Sequence, residues 1–109
     1  MNEQLITTKE DIFNTLRVLS YSNDLTQRDV AYNLGFSLGK TNYLLRFSVR
    51  AGFVEIKERV AGCRTRKARY VLTEKGVLEK KRLTQFFYKK KEEEYLELKK
   101  EIESGRGIY

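Results

Sequence analysis

The sequence predicts a mainly α-helical chain with one β-hairpin, an α+β class, on three observations. Three successive stretches repeat apolar residues at helical spacing, each just after a Ser or Thr suited to cap it. Residues 53–73 switch to alternation around a glycine-containing turn, the pattern of two short strands. The run that follows contains no proline and is rich in Lys, Glu and Leu, the composition of a single long helix.

The first helix is opened by Thr8 with Asp11 three positions on, a capping-box-like start, and Ile12, Phe13, Leu16 and Leu19 follow as its core-facing stripe. "SYSND" at 20–24 is turn chemistry. Thr26 and Asp29 form a second cap pair for a short helix over 27–34, bearing Val30, Ala31 and Leu34 and ending at Gly35. Ser37 caps a third helix whose apolar positions are Leu38, Leu45 and Val49, with Leu44 beside them and Gly52 as the stop. In the hairpin, Val54 and Ile56 fall on one side of the first strand, "VAGCRTRK" forms the turn and "ARYVLT" returns. From the cap Thr73 the long helix runs to Glu103, ~45 Å at 1.5 Å per residue, and "SGRGIY" reads as a flexible tail. The expected organisation is therefore a compact domain over 1–76 and a helical appendage over 77–109.

Composition narrows the function. Of 109 residues, 22 are Lys or Arg and 15 Asp or Glu, so the net charge of +7 favours polyanionic partners. A single cysteine, Cys63, excludes an internal disulfide framework, and the absence of histidine leaves no metal cluster, no His-based catalytic pair and no cofactor motif. No catalytic residue is proposed. No segment approaches the ~20 apolar residues of a membrane span, and no basic-then-apolar leader opens the chain, so a soluble, cytoplasmic protein without membrane contact is expected.

Helix, tight turn, helix and then a basic hairpin is the order of a winged helix-turn-helix, whose second motif helix enters the DNA major groove. On the third helix Gly39, Asn42, Tyr43, Arg46 and Arg50 share one face, with Lys40 at its edge. Asn and Arg can pair bidentately with adenine and guanine edges, while Lys and Tyr bond phosphates. Gly39, costly in a helix interior, either lets the backbone approach a phosphate or lets two helices pack closely. The hairpin holds Lys57, Arg59, Arg64, Arg66, Lys67 and Arg69 against only Glu58; Arg64, Arg66 and Lys67 near its tip are the candidate phosphate contacts. The long helix exceeds what so small a domain can cover and calls for a partner. Tyr88, Tyr95, Leu98 and Ile102 fit a heptad seam that Lys91 interrupts, while Leu83, Phe86 and Phe87 lie off it; Phe87, Tyr88, Tyr95, Leu98 and Ile102 are the candidate dimerisation residues.

"LTQRDVAYNLGFSLGKTNYLLRFSVRAGFVE" followed by "YVLTEKG" resembles the MarR-type winged-helix transcriptional regulators, and among them the small branch associated with exopolysaccharide gene clusters. The matching positions are Gln27, Arg28, Leu34, Gly35, Ser37, Gly39, Lys40, Asn42, Tyr43, Leu44, Leu45, Gly52, Val54, Leu72, Thr73, Lys75 and Gly76, within a likeness spanning residues 8–103. The resemblance implies a homodimeric regulator of double-stranded DNA, a repressor more often than an activator. It places Gln27 and Arg28 near the DNA backbone and Ser37, Gly39, Lys40, Thr41, Asn42, Tyr43 and Arg46 in the groove. Thr41 and Ser48 stand where that family usually has apolar residues, and Glu74 where proline is common. The long N- and C-terminal helices that build the phenolic-ligand pocket of full-length relatives have no counterpart, so no small-molecule effector carries over. A competing expectation is a winged-helix interaction module whose long helix recruits another protein.

Overall fold

The computed structural model describes residues 8–58 and 68–105. Four helices and two strands follow in the order α1 (Lys9–Leu19), α2 (Gln27–Leu34), α3 (Leu38–Arg50), β1 (Val54–Lys57), β2 (Arg69–Leu72) and α4 (Glu74–Ser104). Each helix starts where its cap predicts. The hydroxyls of Thr8, Thr26, Ser37 and Thr73 accept from the amides of Asp11, Asp29, Lys40 and Gly76 respectively, satisfying donors that a helix start leaves unpaired. At Thr26 the box is complete, since Asp29 also accepts from the Thr26 amide at 3.0 Å. Gly35 closes α2 at φ 71°, a left-handed conformation that glycine adopts without steric cost.

β1 and β2 pair antiparallel with Val54 opposite Leu72 and Lys57 opposite Arg69. A single bridge adds Leu25, whose carbonyl accepts from the Tyr70 amide at 2.9 Å, so the α1–α2 connection forms a third rung beside the hairpin. Nothing local in the sequence signals that pairing. The described residues thus form a winged helix-turn-helix carrying a long C-terminal helix, as the sequence predicts.

Ile12, Leu16, Leu19, Val30, Leu44, Leu45, Val54 and Leu83 make the core. Two expectations change here. On α3 the buried stripe is Thr41, Leu44, Leu45 and Ser48, whereas Leu38 is exposed and Val49 half-buried. A small hydroxyl side chain can enter a core because it can bond its own helix: Ser48 donates to the Leu44 carbonyl at 2.8 Å. In β1, Val54 is buried but Ile56, on the same face, lies past the core's edge and is 51% exposed.

The beginning of α4 is clamped onto the end of α3. The Thr73 hydroxyl donates to the Gly52 carbonyl at 2.6 Å, and the Lys75 ammonium donates to the Ala51 carbonyl at 2.8 Å. Gly76 completes the clamp by packing on backbone: a Cβ there would stand 2.0 Å from the Phe53 carbonyl oxygen. The Thr-x-Lys-Gly string is thus one joint between two helices, and α4 runs unbroken through the 76/77 boundary expected between domain and appendage. Farther along, Leu83 is buried and Phe87 stacks on Phe13 of α1 at 5.1 Å between ring centres. Phe87 is therefore half-buried against the core of its own chain, a contact with α1 that its reading as a dimerisation residue did not include. Beyond it every described side chain of α4 is exposed.

Candidate nucleic-acid interface

The capped start and core stripe of α3 determine which side chains face out. With Thr41, Leu44, Leu45 and Ser48 turned inward, helical geometry turns Gly39, Asn42, Tyr43, Arg46 and Arg50 outward. These five line one shallow hollow together with Phe47, which is 41% exposed. A second hollow, lined by Arg46, Val49, Arg50, Ile56 and Tyr70, carries the surface from α3 onto the hairpin. A third, lined by Thr26, Gln27, Arg28, Leu38, Ala68 and Tyr70, carries it to the start of α2.

Shared Arg46, Arg50 and Tyr70 join the three hollows into one continuous face. Arg28, Arg46 and Arg50 give that face three guanidinium groups, and no acidic residue lines any of the hollows. Such a surface suits a polyanion whose base edges offer acceptors to Arg and Asn. The sequence missed Phe47 and Ile56 as members of it. Their hydrophobicity signals core; the placement of α3 against β1 brings Ile56 to the charged face, whereas Phe47 lies there by helical spacing alone, one turn from Tyr43 on α3.

The predicted residues divide into three groups. Asn42, Tyr43, Arg46, Gly39 and Arg28 lie on the face and are available. Ser37 and Gln27 lie at its edge with structural work of their own: the Ser37 hydroxyl caps α3, and Gln27 donates from Nε2 to the Leu38 carbonyl at 3.2 Å, tying α2 to α3.

Thr41 and Lys40 form the third group and are corrections. Thr41 is fully buried, so its side chain cannot reach a groove. The Lys40 ammonium turns back to α1, lying 3.6 Å from the Asp11 carboxylate and 4.1 Å from the centre of the Phe36 ring. An ion pair and a cation–π contact hold it on the protein side, an orientation set by α1 and invisible in the spacing along α3.

In the hairpin, Arg69 pairs through Nε with Asp24 at 2.8 Å and braces the third rung, leaving Lys57 as an exposed cation of β1. Arg64, Arg66, Lys67 and Cys63 lie outside the described residues. Among the described residues no cluster of acidic, Cys or His side chains suits a metal, and no helix is long and apolar enough to cross a membrane.

The class defined by this architecture and face is the winged helix-turn-helix, and similar folds occur in DNA-binding regulators. Sso10a-2, a DNA-binding protein from Sulfolobus solfataricus, superposes with a TM-score of 0.67 at 25% identity over 91% of this chain and 95% of its own. MepR, a transcription regulator of the Staphylococcus aureus multidrug efflux pump MepA, gives 0.61 at 24% identity over 97% and 82%. E. coli MarR in its apo form gives 0.62 at 24% over 77% of this chain and 62% of that one. MepR is also similar as solved in complex with DNA, with a TM-score of 0.63. No family model matches the sequence, and no characterised protein matches it at the sequence level.

Proposed function

We propose that the chain is a sequence-specific, non-enzymatic regulator of transcription of the MarR type, acting on duplex DNA as a homodimer. The observation that carries this reading is the unbroken, acid-free face from α2 across α3 to the hairpin, with Asn42 and Arg46 on its α3 part. Asn42, Tyr43 and Arg46 read base edges in the major groove, while Arg28, Arg50 and the hairpin residues Arg64, Arg66 and Lys67 hold phosphates. Two copies joined through α4 place two α3 helices in successive major grooves of a pseudo-palindromic operator, ~34 Å apart. Repression follows where the operator overlaps a promoter, and exopolysaccharide genes are the target the sequence resemblance suggests. The long, exposed α4 supports the dimer.

The test is selection of bound duplexes from a random pool, followed by titration of the winner against scrambled competitor at two salt concentrations. Enrichment of an inverted repeat with half-sites one helical turn apart, bound at least ~10³-fold over the scramble, is the expected result. Weak, salt-sensitive binding with no enriched sequence would overturn operator recognition and favour a protein-interaction role for α4.

A further inference from the structure

Lys40 stands where a fourth cation of the charged face would stand. At 100° per residue it falls about 20° from Phe47 and about 60° from Tyr43 around α3, and both of those line the central hollow. Extended outward, its side chain would add an ammonium group to the guanidinium groups of Arg28, Arg46 and Arg50. Two contacts turn it inward instead. Its Nζ lies 3.6 Å from Asp11 Oδ2 and 4.1 Å from the centre of the Phe36 ring. The pair is sheltered, the side chains of Lys40 and Asp11 being only 22% and 15% exposed, so salt screens it less than a fully solvated pair. Arg46 and Arg50, on the same helix, have no carboxylate partner among the described residues.

The start of α1 places Asp11 for this contact. Its amide donates to the Thr8 hydroxyl at 3.0 Å and its carbonyl accepts from the Thr15 hydroxyl at 2.8 Å, so the backbone of the first turn is fixed from both sides. In α2 the residue at the same third position, Asp29, turns back onto the amide of its own cap residue. The Asp11 carboxylate reaches across to α3 instead. Leu16, Leu44 and Leu45 lock the two helices together in the core, so this carboxylate keeps its place beside Lys40.

We propose that Asp11 is a positioning residue that withholds Lys40 from DNA, and the inference rests on the reading of this face as a duplex-binding surface. A cation extended from the first turn of α3 meets the phosphate backbone of any sequence, which adds to binding without adding to discrimination. Each phosphate contact adds about 0.9 to the slope of log K against log salt. Releasing one lysine therefore strengthens binding to every duplex by about a further 8-fold for each tenfold fall in salt. Asp11 thereby sets how much of the binding is blind to sequence, from a helix that lines none of the three hollows.

The test is a cycle of four full-length chains: natural, Asp11→Asn, Lys40→Gln and the double substitution. Each is titrated with the selected operator and with scrambled duplex over a salt series. Glu10→Gln serves as the control, since it removes an exposed carboxylate from the same turn. Asp11→Asn should steepen the slope by about one on both duplexes, and adding Lys40→Gln should reverse that change. Lys40→Gln alone should move the natural slope by less than half as much, and Glu10→Gln should fall short of Asp11→Asn. Asp11→Ser should reproduce the steepening through a different side chain, which separates the loss of the pair from any effect of the new amide on folding.

A full unit of flattening by Lys40→Gln in the natural chain overturns the proposal, because Lys40 then already sits on a phosphate. Equal effects of Asp11→Asn and Glu10→Gln also overturn it, because the lost charge alone then accounts for the change. In both cases the natural chain still binds duplex. Failure of the natural chain to bind either duplex overturns the DNA reading itself, and this inference with it.

Discussion

Thr41 offers the sharpest test of the α3 assignment, because the same substitution at a neighbouring buried threonine should act in the opposite sense. Thr41 and Thr15 are both fully buried in helices. The Thr15 hydroxyl donates to the Asp11 carbonyl one turn back at 2.8 Å, whereas Thr41 Oγ1 has no partner among the described residues. A buried hydroxyl without a partner costs about 1–3 kcal/mol, while a bonded one contributes about 0.5–1.5 kcal/mol net. Valine has nearly the shape of threonine and nearly its helix propensity, so little else changes. Thr41→Val should therefore stabilise the fold by about 1–2 kcal/mol, and Thr15→Val should destabilise it by about 1 kcal/mol. Urea unfolding at one fixed protein concentration measures both, the sign being read from the shift in midpoint at constant slope. Thr41→Val should also leave DNA affinity unchanged, since its side chain points away from the interface. If the two variants move together toward lower stability, Thr41 has a partner and the packing argument fails; if stability is unchanged but DNA binding falls, α3 is rotated from the orientation described.

Three further outcomes follow from the same geometry. Gly76→Ala drives a methyl group into the Phe53 carbonyl, a backbone atom that cannot swing aside, and should cost about 3 kcal/mol by urea unfolding. Asn42→Ala and Arg46→Ala should each weaken the selected operator by about 1–3 kcal/mol while barely changing affinity for scrambled duplex, whereas Arg28→Ala should weaken both alike and reduce the salt slope by about one. Equal losses on both duplexes for all three would refute that division of labour. The Glu79 carboxyl, hydrogen-bonded by Arg82, is held below the usual carboxylate range. Because the folded value is the lower one, the stability this pair contributes is present above the ordinary carboxylate pKa and fades as pH falls through the lowered value. Carboxyl NMR titration of Glu79, with Arg82→Gln moving the value back up toward the ordinary one, checks both direction and cause.

Features encoded over three or four residues were legible in the chain. Thr8, Thr26, Ser37 and Thr73 each cap the helix assigned to them, and Gly35 closes α2, because capping is a contact between near neighbours. Features that depend on distant partners were not legible. Lys40 looks like a groove residue until Asp11 and Phe36 are brought beside it, and Arg69 looks like a free wing cation until Asp24 is 2.8 Å away. Phe87 fits a list of appendage aromatics until Phe13 stacks on it. Hydropathy also ranked Leu38 as core and Thr41 as surface, the reverse of their burial, since it takes no account of hydroxyls that enter a core on a helix facing two neighbours. The polar face itself was legible through Asn42, Tyr43 and Arg46; its extension through Ile56 and Tyr70 needed the hairpin's position.

The joint at Thr73, Lys75 and Gly76 gives α4 a mechanical meaning. A helix of 31 residues is a rod of about 46 Å, and its base is bolted to the three residues that follow α3 by two hydrogen bonds and a backbone contact that tolerates no added atom. Tilting such a rod by about 5° sweeps its far end through about 4 Å, so a small rotation at one end and a large translation at the other are the same motion. Whatever grips the free end of α4 thereby aims α3, and stiffness at three residues is what turns a grip into a heading.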